Sequence, residues 1–358
     1  MLMLAIGGDD DGPPIISTSY EILDTTGTAP IAWQEADMML PFVYGGPAAT
    51  DAAGSILTFL DTATWSYSRN TGWQMLSTVM PTPRTSVPRP TAAAALGPNG
   101  LVYLVGGTAK ASAAFDGVVE AYDPVRNKWS TGLIPMPTPR MQLGLAAGSD
   151  GRLYAIGGVD ASFARSGAVE AYDIASNSWS ILSALPEDVA WPGVATGPDG
   201  RIYALGGDSG MTPSFQNTVN AYTPKTNRWT SVAPLSEGRS GLGAVVSPDG
   251  HLYAVGGEIG IGTSTVEIYG PVVDVSPQVG APGDSVAVTG SNFAANAKVD
   301  LYWGSLNGVP IATGTTDGSG KLVAPLNFKV PSLPAGNQPL ITVDDRSQYP
   351  ITLQFRIQ

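Results

Sequence analysis

Between residues 89 and 270 the apolar positions recur with a period near 50. Four apolar runs each close on a glycine pair, beginning at Gly106, Gly157, Gly206 and Gly256, so the pairs stand 51, 49 and 50 residues apart. A tyrosine lies three residues before each pair, at Tyr103, Tyr154, Tyr203 and Tyr253, and Trp129, Trp179 and Trp229 follow at intervals of 50. A polar turn precedes every apolar run: GPNG at 97–100, GSDG at 148–151, GPDG at 197–200 and SPDG at 247–250. Asp or Pro sets such a turn and the glycine supplies positive φ, so each reads as a hairpin loop. Before each turn comes a run of small residues: AAAAL, LGLAA, GVATG and LGAVV. The unit is therefore four short antiparallel strands. The first is small-residue, the second apolar, the third (VEAYD) alternates as a half-buried strand, and the fourth carries the tryptophan. Stacking such units around an axis predicts small side chains where strands converge.

Upstream the pattern weakens. MLMLAIGG, STSYEILD and TAPIAW make a partial copy over 1–35, with Trp33 in the tryptophan position. Residues 36–76 make a degenerate one, in which MLPFVYGG, SILTFLD, TWSYSRN and GWQML read as four strands, Trp73 holds the tryptophan position and Gly45–Gly46 falls in the wrong strand. From residue 271 the period stops. PVVDVSPQVGAPGDSVAVTGSNFAANAKVDLYW opens a series of alternating segments that ends in QYPITLQFRIQ. That length suits a small β-sandwich of about seven strands over 271–358.

Composition narrows the classes open to such a chain. With 43% hydrophobic residues it can build a full core, and 44 glycines and 30 prolines suit short strands and tight turns. A formal charge of −12 argues against nucleic-acid binding, which requires a basic face. Having no cysteine, the chain has no disulfide, thiolate metal site or cysteine nucleophile, and a single histidine, His251, excludes a multi-histidine metal centre. No run approaches the ~20 apolar residues of a membrane helix, and MLMLAIGG lacks the basic start and cleavage site of a secretion signal.

The glycine pair taken with Glu120-Ala121-Tyr122-Asp123 and Trp129, and again with Glu170, Tyr172, Asp173 and Trp179, resembles the kelch repeat. The period fits kelch better than the shorter WD40 unit. The next copy departs from the pattern, with Asn220 for Glu and Thr223 for Asp, and the last, Val266-Glu267-Ile268-Tyr269, stops before its tryptophan. The resemblance implies an all-β chain with a six-bladed kelch-type β-propeller over 1–270. In that count the first blade lacks its innermost strand and the last its outermost. These two are neighbours in the ring, so a segment upstream of Met1 would supply both; strand donation from a neighbouring chain is the alternative. SPQVGAPGDSVAVTGSNF resembles the start of IPT/TIG-type immunoglobulin-like domains, which assigns 271–358 to one of them.

Arg89, Arg140 and Arg239 each stand 17 residues before their glycine pair, and Val189 takes that place in the remaining copy, two residues before Trp191. In kelch proteins that resemble this chain, arginine at this position lines the ligand-facing mouth of the channel. Arg89, Arg140, Arg239 and Trp191 are accordingly the expected ligand-binding residues, with a carboxylate or sulfate held bidentately. The competing reading has each arginine bond carbonyls or a glutamate, such as Glu120 or Glu170, inside the fold. Asp9-Asp10-Asp11-Gly12 lacks the spacing of a calcium loop and reads as solvated charge, as does Asp344-Asp345. His251 falls at an exposed hairpin, which suits no catalytic role. A propeller followed by an immunoglobulin-like domain resembles the plan of galactose oxidase, but the copper–Tyr–Cys site of that enzyme requires a cysteine. No catalytic residue, metal or cofactor is assigned. Glu187, Asp188 and Glu237 are the carboxylates placed for paired-carboxylate chemistry, though surface charge explains them equally. Phe115, Phe163, Met211 and Phe215 lie on variable loops after the glycine pairs, either as a recognition surface or packed on the strands beneath.

These readings predict an extracellular or cell-surface recognition or adhesion protein. It would bind a carbohydrate, an acidic small molecule or a protein partner at one propeller face, without nucleic acid and without a membrane span. A structural subunit of a surface layer or filament joined by strand exchange is one alternative. A carbohydrate-active enzyme (glycosidase, lyase or epimerase) is another, because the fold alone does not fix the activity.

Overall fold

The computed structural model describes residues 2–6, 20–24, 33–36, 47–60, 62–68, 70–83, 92–108, 117–211, 214–247, 250–260, 263 and 265–358, with those before residue 47 as backbone alone. Among them every regular element is a β-strand. From Leu2 to Tyr269 the strands form six successive antiparallel sheets of three or four strands, paired in chain order within each, and one two-stranded sheet of Arg140–Met141 with Val159–Asp160. The first holds Leu2–Ile6, Tyr20–Asp24 and Trp33–Ala36. The second holds Ala48–Thr50, Ile56–Leu60, Ala63–Ser68 and Gly72–Val79, and the third Ala93–Leu96, Val102–Val105, Val119–Asp123 and Lys128–Ser130. The fourth holds Gly144–Ala147, Arg152–Ile156, Val169–Asp173 and Ser178–Ile181, and the fifth Gly193–Thr196, Ile202–Leu205, Val219–Thr223 and Arg228–Ser231. The sixth has Gly243–Val246, Leu252–Val255 and Val266–Tyr269.

Two details differ from the sequence reading. In the second sheet the small-residue strand is Ala48–Thr50, because the turn into the apolar strand is DAAGS at 51–55, where the Asp51 carboxylate accepts from the Ala53 and Ser55 amides. The segment MLPFVYGG and its Gly45–Gly46 lie outside the described residues. The third strand is not half-buried: Val119 to Tyr122, Val169 to Tyr172 and Val219 to Tyr222 are buried throughout. Consecutive sheets pack face to face, so both sides of this strand are covered. One cluster joins Tyr154, Ile156, Val169 and Ala171 of the fourth sheet to Ile202, Ala204 and Tyr222 of the fifth.

The tyrosine and tryptophan of each unit face one another across the third and fourth strands. Tyr67 and Trp73, Tyr122 and Trp129, Tyr172 and Trp179, and Tyr222 and Trp229 are register partners, with ring centroids 5.3, 5.3, 5.2 and 5.2 Å apart. This conjugate contact suits large aromatic surfaces buried between sheets. Where the first strands meet, size decides the residue: a methyl group added to Gly144 would stand 2.1 Å from the Val194 side chain.

The chain divides into two compact units. The first comprises 1–196, 200–245 and 254–267; the second comprises 197–199, 246–253 and 268–358. The second unit thus begins near the expected boundary at 271 but also takes in the turn at 246–253, whose Gly250 carbonyl accepts the Tyr349 hydroxyl at 2.7 Å. Within it a three-stranded sheet (Val272–Ser276, Ser285–Ser291, Leu326–Lys329) and a five-stranded sheet share one core. Val286, Val288 and Phe328 meet Val299, Leu301, Leu340 and Phe355 there.

Candidate functional site

Each sheet of the best-preserved arc is entered through a short segment that starts at a buried apolar residue, Met136, Leu185 or Leu235. Arg140, Val189 and Arg239 lie four residues on. The next residue pairs with the loop after the glycine pair of its own sheet, as Met141 with Val159, Ala190 with Asp208 and Ser240 with Glu258. The residue after that is left-handed in all three segments: Gln142, Trp191 and Gly241 have φ of 60°, 49° and 64°. These three are linked in series. The Trp191 amide donates to the Gln142 carbonyl at 2.7 Å, and the Gly241 amide donates to the Trp191 carbonyl at 3.0 Å.

The glycine pairs close the same junction. The second glycine donates its amide to the entry residue of the next sheet: Gly107 to the Arg140 carbonyl, Gly158 to Val189 and Gly207 to Arg239, at 2.9, 2.8 and 2.9 Å. Gly157 and Gly158 have φ of 66° and 107°, and added methyl groups would meet the Val189 carbonyl at 2.8 Å and the Met141 carbonyl at 2.6 Å. The pair is wedged between the entry segments of its own sheet and the next, which leaves no space for a side chain.

Arg140 and Arg239 are fully buried. The Arg140 guanidinium stands 3.3 Å from the Glu170 carboxylate and donates to the Ala155 carbonyl at 3.4 Å, while the Thr138 hydroxyl donates to the other Glu170 oxygen at 2.9 Å. Burial pushes the Arg140 guanidinium below the usual arginine range, and the Glu170 charge opposes that shift. Arg239 pairs with Glu267 and donates to the carbonyls of Gly256 and Thr265 at 3.3 and 3.2 Å. This corrects the expectation that these two guanidiniums face a ligand, since a desolvated cation persists only beside its carboxylate. Arg89 lies outside the described residues. The fifth sheet shows the logic by exception: Val189 replaces the arginine, and Asn220 stands where the other sheets place Glu120, Glu170 or Glu267.

Trp191, also expected to bind ligand, is half-buried in the entry segment of the fifth sheet. Around it the loops carry more carboxylate than cation. Asp208 is paired with Arg165 at 2.6 Å and Glu187 accepts the Thr218 hydroxyl at 2.6 Å. Of the loop apolar residues, Phe163 and Met211 are 69% and 75% exposed, Phe215 is half-buried, and Phe115 lies outside the described residues. Asp9-Asp10-Asp11 also lies outside them. Asp344 is not solvated charge but fully buried, accepting the amides of Arg346 and Ser347 at 3.0 and 2.6 Å and the Ser347 hydroxyl. His251 is half-buried rather than exposed, with Nε2 2.8 Å from the Pro271 carbonyl oxygen.

A further set escaped the sequence reading although its spacing is regular. Asn127, Asn177 and Asn227 each precede the tryptophan by two residues and are left-handed, with φ of 49°, 49° and 53°. Each accepts the hydroxyl of its sheet's tyrosine, Tyr122, Tyr172 or Tyr222, at 2.9, 2.7 and 2.8 Å. The same oxygens of Asn177 and Asn227 accept the amides of Ile134 and Ser183 from the preceding unit, and the Trp179 and Trp229 indoles donate to the Ile134 and Ser183 carbonyls. The repeated pentapeptide MPTPR at 80–84 and 136–140 is a second missed signal: Met80 and Met136 are both buried, and Thr82 donates to Glu120 as Thr138 does to Glu170.

Residues 89–132, 145–186 and 194–236 match the Kelch motif. No curated protein sequence matches the chain. Among solved structures the chain is similar to a fungal alcohol oxidase of the AA5 family in complex with copper. They share 14% identity at a TM-score of 0.52, over all of this chain and 95% of that one. It is also similar to YjhT, at 16% identity and a TM-score of 0.54, over 73% of this chain and 89% of that one. At such identities the likeness concerns the fold. The residues here do not fit a copper–Tyr–Cys centre, because the chain has no cysteine. Among the described residues no group of three or more His, Cys, Asp or Glu side chains is placed to hold a metal ion. Three Kelch motifs, all-β sheets stacked in sequence and two such neighbours make this fold a kelch β-propeller.

Proposed function

We propose that the chain is a recognition protein whose propeller binds a carbohydrate or a protein partner at the face formed by the entry segments and the loops after the glycine pairs. Trp191 carries this reading. It places a large aromatic side chain in a left-handed position that the next segment fills with Gly241, and such strain is kept where a site uses the side chain. An aromatic face held on a rigid scaffold suits a sugar ring or an apolar side chain. Internal use of Arg140 and Arg239 turns the preference away from acidic small molecules. The same reading takes the propeller as six-bladed, residues 271–358 as an IPT/TIG-like immunoglobulin-like spacer, and the protein as extracellular. Two sheets over one core support the second of these.

Glycan-array binding and affinity capture, each with wild type and Trp191→Gly, test the reading. Glycine is accommodated at the equivalent Gly241, so the variant should keep its melting temperature and lose the bound glycan or partner. A wild type that binds nothing on either platform, or a variant that binds equally well, sinks the proposal.

A further inference from the structure

Six turns share one backbone hydrogen-bond pattern between their described first, fourth and fifth residues: 51–55, 97–101, 148–152, 160–164, 247–251 and 317–321. In each, the first residue's amide bonds to the carbonyl four residues on, and the fourth residue's amide bonds back to the first carbonyl. The fourth residue is left-handed every time. Five turns place glycine there, namely Gly54, Gly100, Gly151, Gly250 and Gly320, with φ of 84°, 80°, 86°, 101° and 80°. The sixth places Phe163, with φ of 63°. The contrast is sharpest against 317–321, where Asp317 accepts the Ser319 hydroxyl and the amides of Ser319 and Lys321, as Asp160 accepts those of Ser162 and Ala164. A bulky left-handed residue costs free energy that burial of its side chain ordinarily offsets. Phe163 is 69% exposed, so burial offsets little of it.

The turn is also fixed to its neighbour. Arg165, two residues after Phe163, pairs with Asp208 of the next loop at 2.6 Å. A methyl group added to Gly210 would stand 3.0 Å from the Arg165 guanidinium carbon, so the Gly210 backbone lies against that cation. Met211 follows directly and is 75% exposed. Two largely exposed apolar side chains thus stand in two loops that one ion pair joins. Carboxylates gather at the same place: Asp160 opens the turn, Asp208 pairs with Arg165, and a methyl group added to Gly167, two residues past Arg165, would stand 2.8 Å from the Asp188 carboxylate.

We propose that Phe163 and Met211 form the apolar centre of a docking surface for a basic peptide segment of another protein, one that offers an apolar side chain flanked by lysine or arginine. The proposal rests on the recognition reading above and names the partner class. Charge selects the occupant: a second copy of this chain brings a net charge of −12 to an already acidic rim, whereas a basic segment neutralises it.

The test uses three fluorescein-labelled eight-residue peptides that share two leucines and one phenylalanine and differ in carrying three lysines, three glutamates or three serines. Anisotropy is read at low and high salt with wild type, Phe163→Gly and Met211→Ser. The lysine peptide is expected to bind wild type at least about tenfold tighter than the glutamate peptide, more weakly at high salt, and to lose at least about tenfold in either variant. Phe163→Gly installs the residue of the other five turns, so its melting temperature should hold. A melting temperature that falls by several degrees makes Phe163 a structural residue and overturns the proposal. Equal binding of all three peptides, no binding, or binding untouched in both variants also overturns it. If the Trp191-dependent ligand is still bound by Phe163→Gly, the recognition reading survives that failure.

Discussion

At the scale of single residues, burial decides what an arginine is for. Arg140 keeps its charge inside the fold because Glu170 is 3.3 Å away, and the fifth sheet has solved the same position without either charge, using Val189 and Asn220. This arrangement predicts a thermodynamic cycle. Arg140→Val alone leaves Glu170 buried without its cation and should cost about 3–5 kcal/mol in urea unfolding. The double variant Arg140→Val with Glu170→Asn copies the fifth sheet and should recover most of that loss. A double variant no more stable than the single one would mean that the pair does not act as a unit. Counting back from the glycine pairs located these arginines correctly in the chain, but placement along a strand does not reveal which side of a packed sheet a side chain occupies. The fates of Arg140 and Arg239 were therefore not legible, and neither was the left-handed backbone of Trp191, which no spacing announces.

At the scale of the element, the turn between the third and fourth strands does more than reverse the chain. Asn177 is left-handed, caps the Tyr172 hydroxyl and accepts an amide from the preceding unit, so one side chain joins a turn, a core aromatic and a neighbouring sheet. Asn177→Ala should destabilise by about 2 kcal/mol, from a buried hydroxyl left unpaired and a left-handed alanine. Asn177→Gly should lose less, because it relieves the backbone while forgoing both hydrogen bonds. Equal losses in the two variants would assign the whole effect to the side chain. Strands, turns and their period were legible from 89 to 270 because tight hairpins and buried tyrosines demand particular residue types at fixed intervals. The second sheet misled because DAAGS performs the same turn as GPNG without resembling it in letters. The third strand misled because alternation predicts one wet face, and packing between two sheets covers both.

At the scale of the whole molecule, stacked sheets bury phenols in layers, and their titration should report it. Burial, reinforced by Asp123 and Asp51, pushes Tyr122 up to about 12, and burial followed by Tyr103 and Asp173 does the same for Tyr172. Tyr154 is raised too, by burial and then by its hydrogen bond to Asp150. A phenol raised on folding contributes stability that is complete below about pH 10 and disappears as pH climbs through its folded value. Ultraviolet titration of the 13 tyrosines should therefore show two classes, the later one appearing together with loss of the β-sheet signal. A single class near pH 10 with the sheets intact would contradict this packing. The junction between sheets carries a different consequence. Gly107, Gly158 and Gly207 hold the next sheet by its backbone carbonyl, at 2.9 Å where that residue is arginine and 2.8 Å where it is valine. This seam between neighbouring sheets thus runs through main chain, so a buried charge pair at an entry position can give way to an uncharged pair, as Val189 and Asn220 show, with the same seam kept, much as a hinge pin outlasts the panels hung on it.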